Sequence, residues 1–104
     1  MAVVTVGQES DVTPDQALRV VVEGMPIAIF DVHGELYAID DTCTHEEYSL
    51  SDGEMVDDYT VECALHGAQF DIRSGKALCL PATLPVETYP VWVEDGEIKL
   101  EFHD

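Results

Sequence analysis

Val91-Trp92-Val93-Glu94-Asp95-Gly96-Glu97-Ile98-Lys99-Leu100-Glu101-Phe102 is the stretch that decides the fold class. Asp-Gly between two apolar-rich runs is the sequence of a tight hairpin turn, because both central residues of such a turn need positive φ. The run after it alternates strictly, with Ile98, Leu100 and Phe102 on one face and Glu97, Lys99 and Glu101 on the other, the period of a half-buried strand. The same grammar repeats upstream. Leu18 to Val22 and Ile27 to Val32 are β-branched and apolar, with Gly24 and Pro26 between them. His33-Gly34 reads as a turn into Leu36 to Ile39, and Val3 to Val6 as a first short strand. Asp11 to Gln16 is polar and holds a proline, so it reads as a loop or a single helical turn. Met55 to Cys63 carries two short strand signals either side of Asp57-Asp58. Gln69 to Ile72 reads as a further strand and Ser74-Gly75-Lys76 as a further turn. Val86 to Val93 leads into the hairpin. Punctuation at such short intervals predicts an all-β chain, an antiparallel sandwich or barrel.

The chain has 104 residues, a length that suits one compact domain over 1–104 with one modest core. It carries 22 Asp and Glu against four Lys and Arg, a formal net charge of -18. Such a surface repels phosphate backbones and anionic lipid, so neither nucleic acid nor a membrane is expected as a partner. It favours a protein with a basic docking patch and speeds that encounter at low salt; an acidic surface also simply keeps a protein soluble. No basic stretch followed by a long apolar run opens the chain, and no apolar run approaches the ~20 residues that span a bilayer. The expected location is the cytoplasm. Three cysteines, an odd count, do not form a disulfide scaffold.

Two irregular pieces interrupt the β framework, and each carries one Cys and one His: Cys43-Thr44-His45, then Cys63-Ala64-Leu65-His66, with seventeen residues between His45 and Cys63. Thiolate and imidazole are the side chains best suited to soft and borderline transition metals. Two pairs at these spacings rarely coincide by chance, whereas a lone Cys is usually a small core hydrophobe. Cys43, His45, Cys63 and His66 are therefore the candidate metal ligands. Structural zinc also takes two Cys and two His, but usually as a Cys-x2–4-Cys knuckle followed by a His pair. Mixed pairs fit two irons better, the thiolates on one and the imidazoles on the other. Cys79 reads as a buried free thiol, and neither His33 nor His103 has ligand spacing. No Ser-His-Asp set, phosphate-cradling loop or nucleotide fingerprint is present, so an independent enzyme is not expected.

At these residues the chain resembles the Rieske family. Cys43-Thr44-His45 matches its first box and His66-Gly67 its second, while the Ser74-Gly75 turn and the proline-bearing segment near Pro81 sit where the family places them. The likeness covers essentially the whole chain, at the size of the soluble Rieske-type ferredoxins of bacterial aromatic-ring dioxygenase systems. It implies a Rieske-like β fold with a small cluster-binding subdomain made of two loops, about 40–53 and 63–70, and a proline-bearing loop at about 80–85. It implies one Rieske 2Fe–2S cluster and a one-electron carrier between a flavin-dependent ferredoxin reductase and a terminal oxygenase. Docking would be transient, at a tip formed by His45 and His66, with Leu65, Gly67, Pro81 and Ala82 as an apolar rim. A small Rieske-like subunit of a reductase such as nitrite reductase is the second reading, and a structural zinc module the third.

The high-potential members of the family resemble this sequence but differ at four positions. They carry a Cys in each loop, paired as a disulfide, where this chain has Tyr48 and Leu65. They carry a Ser and a Tyr whose hydroxyls donate to cluster sulfurs, where this chain has Ala68 and Phe70. Hydrogen bonds to sulfur stabilise the reduced state, so their loss lowers the potential. Glu46 and Glu47 push the same way. The expected potential is near the low end of the Rieske range, about −150 mV.

Overall fold

A computed structural model describes residues 2–43, 49–63, 67–79 and 84–102, with the side chain of Cys79 outside the description. Among the described residues, eleven strands form three antiparallel sheets. The first sheet has the order β1 (Ala2–Gln8), β11 (Glu97–Phe102), β10 (Val91–Glu94). The second has the order β2 (Leu18–Val22), β3 (Met25–Val32), β4 (Glu35–Asp40), β9 (Thr88–Tyr89). The third runs β5 (Glu54–Asp57), β6 (Thr60–Glu62), β7 (Gln69–Asp71), β8 (Ala77–Cys79). The first loop expected to hold the metal runs from β4 of the second sheet to β5 of the third and the second joins β6 to β7 within the third, and β8 is a strand that the sequence reading did not separate from the turn before it. No helix among the described residues is long and apolar enough to cross a membrane.

Three hairpins turn on residue pairs that both have positive φ: Glu23 and Gly24 (50° and 82°), His33 and Gly34 (52° and 86°), Asp95 and Gly96 (54° and 78°). Their twist matches that of the flanking strands. Asp31 Oδ1 accepts from Gly34 N–H at 3.0 Å, which closes the second of them.

The second sheet is the middle layer, and β3 shows why. Ile27, Ala28, Ile29 and Phe30 are all buried, so the strand reads as an unbroken apolar run instead of alternating. Ile27 and Ile29 join Ala38, Ile98, Leu100 and Phe102 in a core against the first sheet. Ala28 and Phe30 join Ile39, Val61, Phe70, Ile72 and Val86 in a second core against the third sheet. The register agrees, with Ile29 opposite Ala38 and Ala28 opposite Ile39. Pro26 lies inside β3, opposite Val21. It has no N–H to give, and its carbonyl accepts from Asp41 N–H at 3.0 Å.

The run from Val86 to Val93 divides at Pro90. Thr88 and Tyr89 pair with β4, whereas Val91 onward pairs with β11. A proline cannot continue a ladder from its nitrogen, and here the chain changes sheets at that residue. Pro90 O accepts from Glu101 N–H at 3.0 Å as it crosses.

Candidate metal centre

Cys43 follows β4 by three residues and Cys63 follows β6 directly. Both are buried, and both belong to the second core, with Leu50, Ala68 and Phe70. Two thiols from different sheets therefore meet one apolar cluster. His45 and His66 lie outside the described residues, as do Glu46, Glu47, Tyr48, Leu65, Pro81 and Ala82. Among the described residues, no group of three or more His, Cys, Asp and Glu forms a metal site.

Each thiol sits at the neck of a short loop, and each neck is tied. In the first loop Leu50 N–H donates to Asp41 O at 2.6 Å, and Thr42 and Ser49 form an antiparallel bridge. In the second, Cys63 N–H donates to Ala68 O at 2.7 Å, and Gln69 Nε2 donates to Glu62 Oε2 at 2.9 Å. Gly67, within the second neck, has φ 74°, a conformation glycine adopts without strain.

Gly53 brings the two necks together. A Cβ there would collide with the carbonyl of Glu62, the residue before Cys63. The exit of the first loop thus passes directly against the strand that carries the second thiol, and only glycine leaves room. The segment before β9 is held in the same way from two sides. Val86 N–H donates to Gly75 O at 2.8 Å, and a Cβ at Gly75 would strike Val86 O. Asp40 N–H donates to Glu87 O at 2.9 Å, and Asp40 Oδ1 accepts from the Tyr89 hydroxyl at 2.6 Å. Burial, and then that hydrogen bond, push the Tyr89 hydroxyl pKa well up from its ordinary value. The proline-bearing stretch is therefore anchored to both halves of the molecule from its described C-terminal side.

Away from the thiols, Arg73 lies 4.0 Å above the Tyr59 ring, and Tyr37 meets Tyr59 edge-on with centroids 5.8 Å apart. This stack joins β4 to the third sheet. His33 is exposed and sits 3.1 Å from Asp58.

Two buried thiols at adjoining loop necks suit thiolate ligation of one iron. The apolar residues around them exclude water, which competes for metal and sulfide. The Asp41 carboxylate and Gly53 escaped the sequence reading. An Asp in a polar loop is ordinary, and nothing local marks a glycine whose reason is a strand residue nine positions away.

The class defined by this fold and site is a small all-β chain with two buried thiols at adjoining loop necks, able to hold a metal centre. Residues 2–90 match the Rieske [2Fe-2S] domain. The chain is 52% identical over 92 residues to the 3-phenylpropionate/cinnamic acid dioxygenase ferredoxin subunit of Escherichia coli (strain K12), covering 88% of this chain and 86% of that protein. The Sphingomonas yanoikuyae B1 ferredoxin superposes with TM-score 0.90 at 34% identity, covering 98% of this chain and 100% of that one. A chain in the complex of reduced oxygenase and oxidized ferredoxin in carbazole 1,9a-dioxygenase superposes with TM-score 0.86 at 35% identity, covering 94% and 91%. The chain belongs to the Rieske [2Fe-2S] family. It is an electron-transfer component, not a catalytic enzyme, and carries a single Rieske 2Fe–2S cluster.

Proposed function

We propose that this protein passes single electrons from a flavin-dependent ferredoxin reductase to the terminal oxygenase of an aromatic-ring-hydroxylating dioxygenase system. The observation that carries the reading is the meeting of Cys43 and Cys63 in one buried cluster at adjoining loop necks. The half-identical dioxygenase ferredoxin supports a carrier over a nitrite reductase subunit.

Cys43 and Cys63 would hold one iron through thiolates, His45 and His66 the other through neutral imidazoles. When bound, the cluster stores one electron at a time. The chain's own part is to bury the thiolates, fix their spacing through the two necks, and leave the imidazole end facing a partner. Imidazoles in place of two thiolates remove about two negative charges, so the site is easier to reduce than a four-Cys one. Ala68 and Phe70 offer sulfur no hydroxyl, which keeps the potential low, about −150 mV. Docking takes place at the His45/His66 tip, rimmed by Leu65, Gly67, Pro81 and Ala82 and surrounded by acids, a surface suited to brief contact. Residues 1–104 act as one domain in the cytoplasm, with no membrane or nucleic-acid partner.

The test is anaerobic purification followed by iron and sulfide analysis and electron spin resonance of the reduced protein. Two irons and two sulfides per chain, lost in Cys63→Ser or His66→Ala, are expected. The reduced protein should then support oxygenation of 3-phenylpropionate by a matching oxygenase. Colourless, iron-free protein would refute the reading, and zinc at the site would replace it.

A further inference from the structure

Asp41 is the one buried charged side chain among the described residues, 2% exposed in a chain whose other acids mostly face water. Burying a carboxylate is costly unless its charge and its lone pairs are matched. Here they are. Oδ2 accepts from Arg19 Nε at 3.0 Å and from the Ser49 hydroxyl, and Oδ1 accepts from Ser51 N–H at 2.9 Å. The backbone of the same residue is used as well, donating to Pro26 O and accepting from Leu50 N–H.

The partners have a pattern. Ser49, Leu50 and Ser51 lie on the return arm of the first ligand loop, and Asp41 lies on its outgoing arm, two residues before Cys43. Arg19 comes from β2 and holds the carboxylate, and Pro26 comes from β3 and accepts from the backbone N–H, so the framework grips Asp41 from outside the loop. One side chain thus clasps both arms of the loop and fastens them to the middle sheet. The second loop needs no such device, because its neck closes through Cys63 N–H to Ala68 O and the Glu62–Gln69 pair.

We propose that Asp41 is the positioning residue of the metal centre: by closing the neck of the first loop it fixes where Cys43 presents its sulfur relative to Cys63. The proposal rests on Cys43 being a ligand, as argued above. An amide at this position could not do the same work. Asn has one acceptor oxygen for three donors, and in either orientation its NH2 would face an N–H, that of Arg19 or that of Ser51. A loosened neck leaves the fold standing, since the first core is untouched and the second is reached only at Cys43 and Leu50, but lets the sulfur wander.

Asp41→Asn and Ser49→Ala, each in iron-loaded protein, test this. In Asp41→Asn, amide exchange at Leu50 and Ser51 should quicken about tenfold or more relative to Ile98 in the distant core, as loss of hydrogen bonds to a charged group implies. Cluster release to a chelator should quicken by a similar factor, and the electron spin resonance lines of the reduced protein should shift or broaden. Ser49→Ala, with one grip removed, should move all three in the same direction by less. If Asp41→Asn does not fold, Ser49→Ala decides alone. Lower thermal stability with unchanged spectrum and unchanged release would make Asp41 a structural ion pair and overturn the proposal. Wild-type protein free of iron would overturn the ligand reading along with it, whereas iron-loaded wild type with an unaltered variant spectrum overturns the positioning role only.

Discussion

Ala68 and Phe70 are fully buried in the core that holds both thiols, and neither has a hydroxyl. Ala68→Ser adds one donor to that core at the neck of the second loop. It should raise the midpoint potential, by roughly 60 mV if the new hydrogen bond to sulfur is worth about 1.4 kcal/mol, as read by redox titration. A lower or unchanged midpoint would show that these missing hydroxyls do not set the potential. Asp71 is the residue whose protonation matters most plainly for stability. Burial pushes its carboxyl up, but hydrogen bonds from the Arg73 side chain and backbone outweigh this and hold it below the ordinary carboxylate range. A depressed pKa in the folded state adds stability above the unfolded value and loses it as the pH falls through the folded one. The advantage of wild type over Asp71→Asn should therefore be full above about pH 4 and fade below it. Urea denaturation of both proteins at pH 6, 4 and 3 measures this, and an advantage that grows in acid would contradict it.

At the scale of elements, close backbone approaches govern the site. Gly53→Ala drives a methyl into the Glu62 carbonyl beside Cys63. Separating the two necks should cost about 1–3 kcal/mol and reduce the iron bound per chain. Denaturant midpoints and iron analysis together check it, and an alanine variant as stable and as iron-rich as wild type would mean the necks do not depend on this contact. Most strands were legible because alternation and Asp-Gly or His-Gly turns are local signals. The hairpin of Val91 to Phe102 was read in full, down to its turn. The division of Val86 to Val93 at Pro90 was not, because which strand each half pairs with depends on β4 and β11, far away in sequence. Strand β8 was overlooked for a similar reason: three residues beside a turn become a strand only when β7 offers them a partner.

Taken as a whole molecule, the chain carries a formal net charge of -18, and that charge repels itself. Salt screens such repulsion over about 10 Å at 0.1 M. The melting temperature should therefore rise between 20 mM and 500 mM sodium chloride. Electron transfer to a basic partner should slow over the same range, since steering can raise association rates by ~10–10³-fold at low salt. Stopped-flow reduction kinetics at several ionic strengths, beside thermal melts, would show the two trends moving in opposite senses. A rate indifferent to salt would remove charge from the account of docking.

Sequence alone determined the all-β class and the four candidate ligands, because hairpin turns, strand alternation and paired Cys-His spacings are carried by neighbouring residues. Tertiary structure decided that β3 lies between two cores, that both thiols enter the second of them, and that Asp41 fastens the loop ahead of Cys43. Those facts arise where segments distant along the chain come into contact, and no local pattern encodes a partner that folding alone supplies.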